Sequence, residues 1–181
     1  MVDNADETDT AAARFGHLLK YFKERPVTGP VEGHAASRST PAPMNLAVLD
    51  HIDASVQEVV QHTRDANPEA GPAPSRADAI YDWCRESTRL ADETVRLRTA
   101  VIEYRQYLEH AIQAGDVKVV RPHRCPSCGT LGLLWQRQTQ RAVCVNKHCA
   151  RRNGGHSKAW TLADLAHQHV ASKESLKECA T

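Results

Sequence analysis

Four of the six cysteines in this 181-residue chain lie together in the stretch RCPSCGTLGLLWQRQTQRAVCVNKHC. They are spaced as Cys-x2-Cys, then fifteen residues, then Cys-x4-Cys. Zinc is commonly held by four nitrogen or sulfur ligands in a tetrahedron, and two short loops with two thiolates each can supply them. In a reducing compartment, closely spaced cysteines indicate metal ligands rather than disulfides. We therefore predict one structural zinc ion bound by Cys125, Cys128, Cys144 and Cys149.

The second cysteine loop is longer than the usual Cys-x2-Cys, which leaves room for a different ligand. His148 could replace Cys149 in the metal site, and His123 and His156 also lie nearby in the sequence. Asn146, inside the longer loop, is suited to turn the backbone and to accept amide hydrogen bonds. A site of four thiolates has no open coordination position, so we expect a structural and not a catalytic metal.

The residues between and after the cysteines predict a small three-stranded sheet. In CPSCG, Gly129 can adopt the left-handed conformation that follows a tight knuckle. Leu131, Leu133 and Trp135 alternate along a first strand, QTQ makes a turn, RAVCV returns, and HSKAW adds a third strand. We expect Trp135 to pack against the third strand, with stacking on a nucleic-acid base as the alternative. So small a sheet depends on its metal for stability.

The pair CPSC and CVNKHC, a Cys-x2-Cys followed by Cys-x-Asn-x-x-Cys, resembles the zinc-binding transcription activators of the Ogr/Delta type from phages. The resemblance is confined to the zinc ribbon, and the fifteen residues between the two knuckles are fewer than that family uses. The Ala- and Arg-rich composition is similar to that of proteins from actinobacteria and their phages. The resemblance implies a DNA-associated regulatory role.

Positive charge is concentrated in the predicted ribbon. Residues 117–163 contain nine Lys or Arg and no Asp or Glu, although the whole chain has a net charge of only +1. Zinc with four thiolates subtracts about two charges, which leaves roughly +7 on this segment. A surface of one sign on a small rigid module is typical of phosphate binding. The cations predicted to contact nucleic acid flank the hairpin turn and the second knuckle: Arg137, Arg141, Lys147, Arg151 and Arg152.

DNA is the favoured partner and RNA is the alternative. The cations could instead offset the thiolate charge, in which case the protein would be an adaptor. The ribbon or the helices would then dock on a larger transcription or phage complex, and the zinc would be purely structural.

Two helices are expected upstream of the ribbon. The first spans about residues 45–64, with Asn45 as a plausible N-cap. The second opens at Ser75, in a Ser-x-x-Asp capping box, and no Gly or Pro follows before Gly115. Apolar residues recur at alternating steps of three and four over residues 80–111, which is the heptad pattern of a coiled coil. Either a homodimer through this segment or a hairpin with the first helix would cover that seam.

The two ends of the chain carry weaker signals. RFGHLLKYFK (14–23) predicts a short amphipathic helix within a mostly disordered tail, either flexible or docking a partner. Near the C-terminus, Thr161 and Asp164 predict a capping box that starts a single helix on the ribbon, with a helix-turn-helix as the alternative. The expected organisation is a tail, a helical hairpin or coiled-coil region, a ribbon with its capping helix, and a second tail, at residues 1–43, 44–115, 116–172 and 173–181. The predicted class is a small α+β protein.

Several function classes are not expected. The longest apolar stretches are far shorter than the roughly 20 residues needed to cross a bilayer, and MVDNADETDT is acidic, without the apolar run of a secretory signal. We therefore expect a cytoplasmic protein without membrane contact. The sequence has neither a Gly-rich phosphate loop nor a supported Ser/His/Asp grouping, so we do not expect an enzyme.

Overall fold

The computed structural model describes residues 10–24 and 46–178. In this part of the chain, six helices accompany one three-stranded antiparallel sheet, which confirms the predicted α+β class. The elements are α1 (Ala11–Glu24), α2 (Leu46–Ala66), α3 (Ile80–Ser87), α4 (Glu93–Gln113), β1 (Leu133–Gln136), β2 (Arg141–Cys144), α5 (Lys147–Arg152), β3 (Ala159–Trp160) and α6 (Leu162–Glu178). Short 3-10 turns precede α3 and follow α4. The predicted linker before α2, and Asn45 as its N-cap, lie outside the described residues.

Helix α4 is the centre of the helical core, and the other long helices pack around it. Phe15 and Leu18 of α1 are fully buried in that core, together with Leu108 of α4. The Phe15 ring stacks on the His110 ring, with centroids 4.5 Å apart. The amphipathic helix predicted at residues 14–23 therefore exists, but it docks on its own chain. The rest of the predicted tail, residues 1–9 and 25–43, lies outside the described residues.

The predicted continuous helix from Ser75 to Gly115 is wrong, because the chain turns between α3 and α4. Asp92 is the N-cap of α4, and its carboxylate accepts a hydrogen bond from the Val95 N–H at 2.9 Å. Leu90, a heptad position, lies in this turn with 87% of its surface exposed. A capping side chain thus begins a new helix where the apolar spacing alone predicts none.

Residues from both ends of the predicted heptad seam pack within the chain itself. Ile80 of α3 and Leu108 of α4 are buried in the same core. The seam is consequently not one continuous stripe. Homodimerisation through residues 80–111 stays a prediction, without the uninterrupted helix on which it was based.

The strands pair in the order β1-β2-β3 as a small ribbon. Trp135 pairs with Ala142, which pairs in turn with Trp160, so both indole rings lie on the face that packs on the core. Leu133 and Cys144 pair on this same face and are buried. Trp135 therefore lies on the same face of the sheet as Trp160 of β3. This position agrees with the predicted packing against the third strand and not with stacking on a base.

Helix α6 is a single helix, as predicted, and not a helix-turn-helix. The Asp164 carboxylate accepts from the Thr161 N–H at 2.8 Å, and the Thr161 hydroxyl accepts from the Asp164 N–H at 3.0 Å, which confirms the capping box. The helix differs from the prediction in two respects. It continues to Glu178, through residues predicted to be tail, and it packs mainly along α4 rather than on the ribbon. None of the described helices is long and apolar enough to cross a membrane.

A buried chain of polar side chains runs through the helical core. The Tyr81 hydroxyl donates to Gln106 Oε1 at 2.7 Å, so its oxygen accepts from His110 Nε2 at 2.7 Å. His110 Nδ1 then accepts from His51 Nε2 at 3.0 Å. Gln106 Nε2 donates to Glu58 at 2.8 Å. This arrangement requires His110 to be neutral, because a protonated His110 would present a second N–H to that of His51.

Acid should therefore destabilise the helical core through His110. Burial, followed by His51 and Arg105, lowers the pKa of His110 from 6.5 to about 3. The unfolded chain then binds more protons between these two values, so stability falls as the pH drops below 6.5, by about 2 kcal/mol at pH 5. Urea unfolding monitored by helical circular dichroism at pH 7 and pH 5 measures this effect. The loss of unfolding free energy between the two pH values should be smaller in His110→Gln than in wild type by about 2 kcal/mol.

The matched control is His148→Gln, since His148 is on the exposed surface. It should keep the wild-type pH dependence, and any loss of metal at low pH is common to both variants because both retain the cysteines. An unchanged pH dependence in His110→Gln would contradict the assignment.

Candidate metal centre

The structure brings the four predicted cysteines together. The sulfur atoms of Cys125, Cys128, Cys144 and Cys149 all lie within 4.8 Å of one another. Cys128 Sγ and Cys144 Sγ are 3.8 Å apart, and a tetrahedron with Zn–S bonds of about 2.3 Å has edges of about 3.8 Å. All but Cys128 are buried. The cluster can therefore hold a metal ion of zinc's size and coordination.

The first knuckle, residues 125–128, is closed by its own backbone. The Gly129 N–H donates to the Cys125 carbonyl at 2.8 Å, and the Cys125 N–H donates to the Thr130 carbonyl at 2.9 Å. Gly129 has a φ of 69°, the left-handed conformation predicted for it. The Arg124 guanidinium donates to the Gly129 carbonyl at 3.0 Å. These bonds shape the backbone of the first knuckle around its two cysteines.

The second knuckle, residues 144–149, is longer because it contains the start of a helix. Asn146 is the N-cap of α5, and its Oδ1 accepts from the His148 N–H at 2.9 Å. Its Nδ2 donates to Thr130 Oγ1 at 3.0 Å and lies 3.8 Å from Cys128 Sγ. Asn146 therefore shapes its own knuckle and fixes the other one. Cys149 is the buried residue of α5, so the helical turn accounts for the Cys-x4-Cys spacing.

The neighbouring histidines do not join the cluster. His148 and His156 are exposed, and His123 Nε2 lies 2.8 Å from the Tyr104 hydroxyl of α4. Among the described residues, the group able to hold a metal contains cysteines alone. The alternative in which His148 replaces Cys149 is not supported by this geometry.

The thiols differ in their readiness to ionise. Hydrogen bonds from the side chain and backbone of Thr130 lower the pKa of Cys128 to about 6. Burial raises the pKa of Cys144 to about 12 and also raises that of Cys149. A bound cation would replace protons at the buried sulfurs, so metal binding should release protons and weaken as the pH falls.

The five cations predicted to contact nucleic acid are all exposed. Arg137 is in the hairpin turn, Arg141 begins β2, and Lys147, Arg151 and Arg152 lie in α5. Within the described ranges, none of the five forms an ion pair with a carboxylate. Arg141 is nevertheless close enough to contribute, after the hydrogen bonds of Thr161, to a lowered pKa of Asp164. The other four are the more available to an outside anion.

Sequence reasoning missed a cleft between the helices and the ribbon. Its volume is about 580 Å³, and its walls include His51 and Glu58 of α2, Arg105 and Glu109 of α4, and Trp135 of β1. Arg105 bridges the two glutamates. No local pattern could have revealed it, because its walls come from four separate segments of the chain: α2, α4, the hairpin and the start of α6.

Metal content should depend on the four clustered cysteines and not on a cysteine elsewhere in the chain. We expect one zinc ion per chain by elemental analysis, and Cys125→Ser should abolish stoichiometric binding. Cys84→Ala is the matched control, because Cys84 is a buried cysteine of the helical core. Chelation should unfold the ribbon but keep most helical circular dichroism, since the helices rest on their own apolar contacts. Full zinc content in Cys125→Ser would contradict the site.

Asn146→Ala should weaken metal binding without removing a ligand. The substitution deletes the amide beside Cys128 and the cap of α5, and losing such outer contacts typically lowers metal affinity 10- to 100-fold. Affinity can be measured by competition with a chromogenic chelator. Asn153→Ala is the control, because the Asn153 amide donates to the His156 carbonyl at 2.9 Å and contacts no cysteine. Equal affinities in the two variants would exclude this role for Asn146.

No protein-family model matches this chain, and no curated protein or solved structure matches it. The resemblance to the Ogr/Delta activators thus rests on the two cysteine motifs alone. Any function proposed for this chain must therefore be argued from the geometry of its described residues.

Proposed function

We propose that the protein is a zinc-binding, nucleic-acid-binding regulator whose ribbon contacts the phosphate backbone, with DNA as the favoured partner. The observation that carries this proposal is the basic surface of the ribbon. Residues 117–163 hold nine Lys or Arg and no acidic residue, and the cations around the second knuckle are exposed without a carboxylate partner in the described chain. Such a surface attracts polyanions over a distance of about 10 Å at ordinary ionic strength.

Zinc is the proposed metal because the donor set consists of four sulfur atoms. Thiolates favour zinc among the common divalent ions of the cell, and oxygen-seeking magnesium and calcium are disfavoured. A four-thiolate shell leaves no position for a substrate, which supports a structural metal and a binding role rather than catalysis.

The proposed mode of binding is contact with the backbone and not with bases. Trp135 and Trp160 lie on the inner face of the sheet, so the ribbon's indole rings are not presented for base stacking. Arg151 and Arg152 are adjacent and exposed in α5. Contacts of this kind fix position on a nucleic acid and carry little sequence information. We therefore infer strong dependence on salt and weak dependence on sequence. The proposal does not require the homodimer through residues 80–111.

A protein-interaction adaptor is the second candidate, and one observation favours it. Leu131, Leu134 and Val145 of the ribbon are between 44% and 53% exposed. Phosphates offer no apolar counterpart to these side chains, whereas a protein partner would.

Replacing Arg151 and Arg152 together with Ala should weaken nucleic-acid binding by a similar factor for every sequence. Because each lost phosphate contact releases about one counterion fewer, the slope of log affinity against log salt should flatten by about one to two units. Fluorescence anisotropy with labelled duplexes of two unrelated sequences, over a salt series, measures both effects. A single-stranded RNA of equal length tests the preference for DNA.

The control is Arg96→Ala with Arg98→Ala, two exposed arginines of α4 outside the ribbon. This variant should bind as the wild type does, and zinc content should be unchanged in both double variants. If Arg151→Ala/Arg152→Ala binds as tightly as wild type at every salt concentration, the basic surface offsets thiolate charge and the adaptor becomes the first candidate.

A further inference from the structure

The ribbon has a second surface, and the nucleic-acid proposal leaves its apolar side chains unused. Leu134 pairs with Val143, and Val143 pairs with Ala159, so these three residues form a row across all three strands. Because side chains alternate along a strand, this row lies opposite the buried Leu133 and Cys144. We call the row, together with Val145, the outer face.

The outer face is apolar and open. Leu134 is 44% exposed and Val145 is 52% exposed, although the sheet is otherwise packed on the core. Val145 lies against Gly132, where a β-carbon would stand 3.3 Å from Val145 Cγ2. Gly132 thereby leaves room for the valine side chain beside the sheet. These aliphatic side chains occupy neighbouring positions on one small face of the sheet. They form a contiguous apolar patch and not isolated exposed residues.

The charges around the outer face narrow the choice of occupant. Arg141 lies on the outer side of β2 next to Val143, and Lys147 follows two residues after Val145. A second copy of this chain would bring the same positive charge to the contact, which opposes self-association. A nucleic acid would match the cations but would leave the aliphatic side chains in water. A segment with both apolar and acidic side chains matches both features.

We propose that the outer face binds an acidic amphipathic segment of a partner protein. Apolar side chains of that segment pack on Leu134, Val143 and Val145, and its carboxylates pair with Arg141 and Lys147. Arg141 and Lys147 are also among the cations predicted to contact nucleic acid. Arg151 and Arg152 take no part in the peptide contact, so the protein can still bind a phosphate backbone through them. The site goes beyond the proposed nucleic-acid function and deepens the adaptor candidate, since it assigns a partner class to apolar side chains that phosphate contacts leave in water.

The test is a binding titration with a defined peptide. The probe is a fluorescein-labelled peptide of about 18 residues with Leu at helical spacing on one face and Asp or Glu elsewhere. The control peptide has the same composition in an order that spreads the leucines around the helix. Wild type in its zinc form should bind the amphipathic peptide at least roughly tenfold more tightly than the scrambled one.

The variant Leu134→Gln/Val145→Thr should lose at least about tenfold in affinity for the amphipathic peptide, because both side chains contact it directly. Its zinc content and circular dichroism should equal those of wild type, since neither residue is buried. Leu90→Gln is the matched control, because Leu90 is 87% exposed but lies in the turn between α3 and α4. Arg151→Ala/Arg152→Ala should bind the peptide as wild type does, which separates this surface from the phosphate contacts.

Four outcomes would overturn the proposal. The first is equal binding of the two peptides, and the second is unchanged affinity in Leu134→Gln/Val145→Thr. The third is a loss of duplex DNA binding in that variant, which would assign the outer face to nucleic acid. The fourth is a wild-type dimer in sedimentation that becomes a monomer in the variant, which would make a second copy the occupant.

Discussion

Four sulfur atoms within 4.8 Å of one another can all be ionised together only when a cation sits among them. Without it, repulsion and burial keep most of the protons on, and the two knuckles have little to hold them together. The sheet between the knuckles is too small to compensate, because its strands contain at most four residues each. Every property inferred for the ribbon depends on this constraint. The direction of the arginines, the inward position of the indole rings and the exposure of the aliphatic row all require the knuckles to be closed.

The helical unit meets the ribbon through aromatic and imidazole rings. Tyr104 of α4 stacks on His169 of α6 with centroids 3.7 Å apart, and its hydroxyl lies 2.8 Å from His123 Nε2 before the first knuckle. Burial lowers the pKa of both histidines, that of His169 to about 4. Both histidines are therefore neutral at physiological pH, and neutral imidazole rings can pack against Tyr104. One tyrosine thus joins the core helix to the segments before and after the sheet.

How far the sequence predicts this structure depends on whether the signal is local. The metal cluster and the capping box at Thr161 and Asp164 are specified by residues a few positions apart, and both are found where predicted. The apolar spacing over forty residues predicted one continuous helix, and that prediction was wrong. A heptad pattern contains no information about an N-cap such as Asp92, which begins a new helix. The docking of Phe15 on His110 was invisible, since the two residues are 95 positions apart and neither belongs to a motif. The polar chain from His51 to Gln106 was invisible for the same reason.

Thr161 is the only residue between β3 and α6. Both the hydroxyl and the amide of this one-residue linker are hydrogen-bonded to Asp164. The linker therefore has little conformational freedom. The sheet and the long C-terminal helix are consequently joined without a flexible segment, and α6 packs along α4. A displacement of the knuckles would therefore be passed to the helical core instead of being absorbed by a flexible hinge.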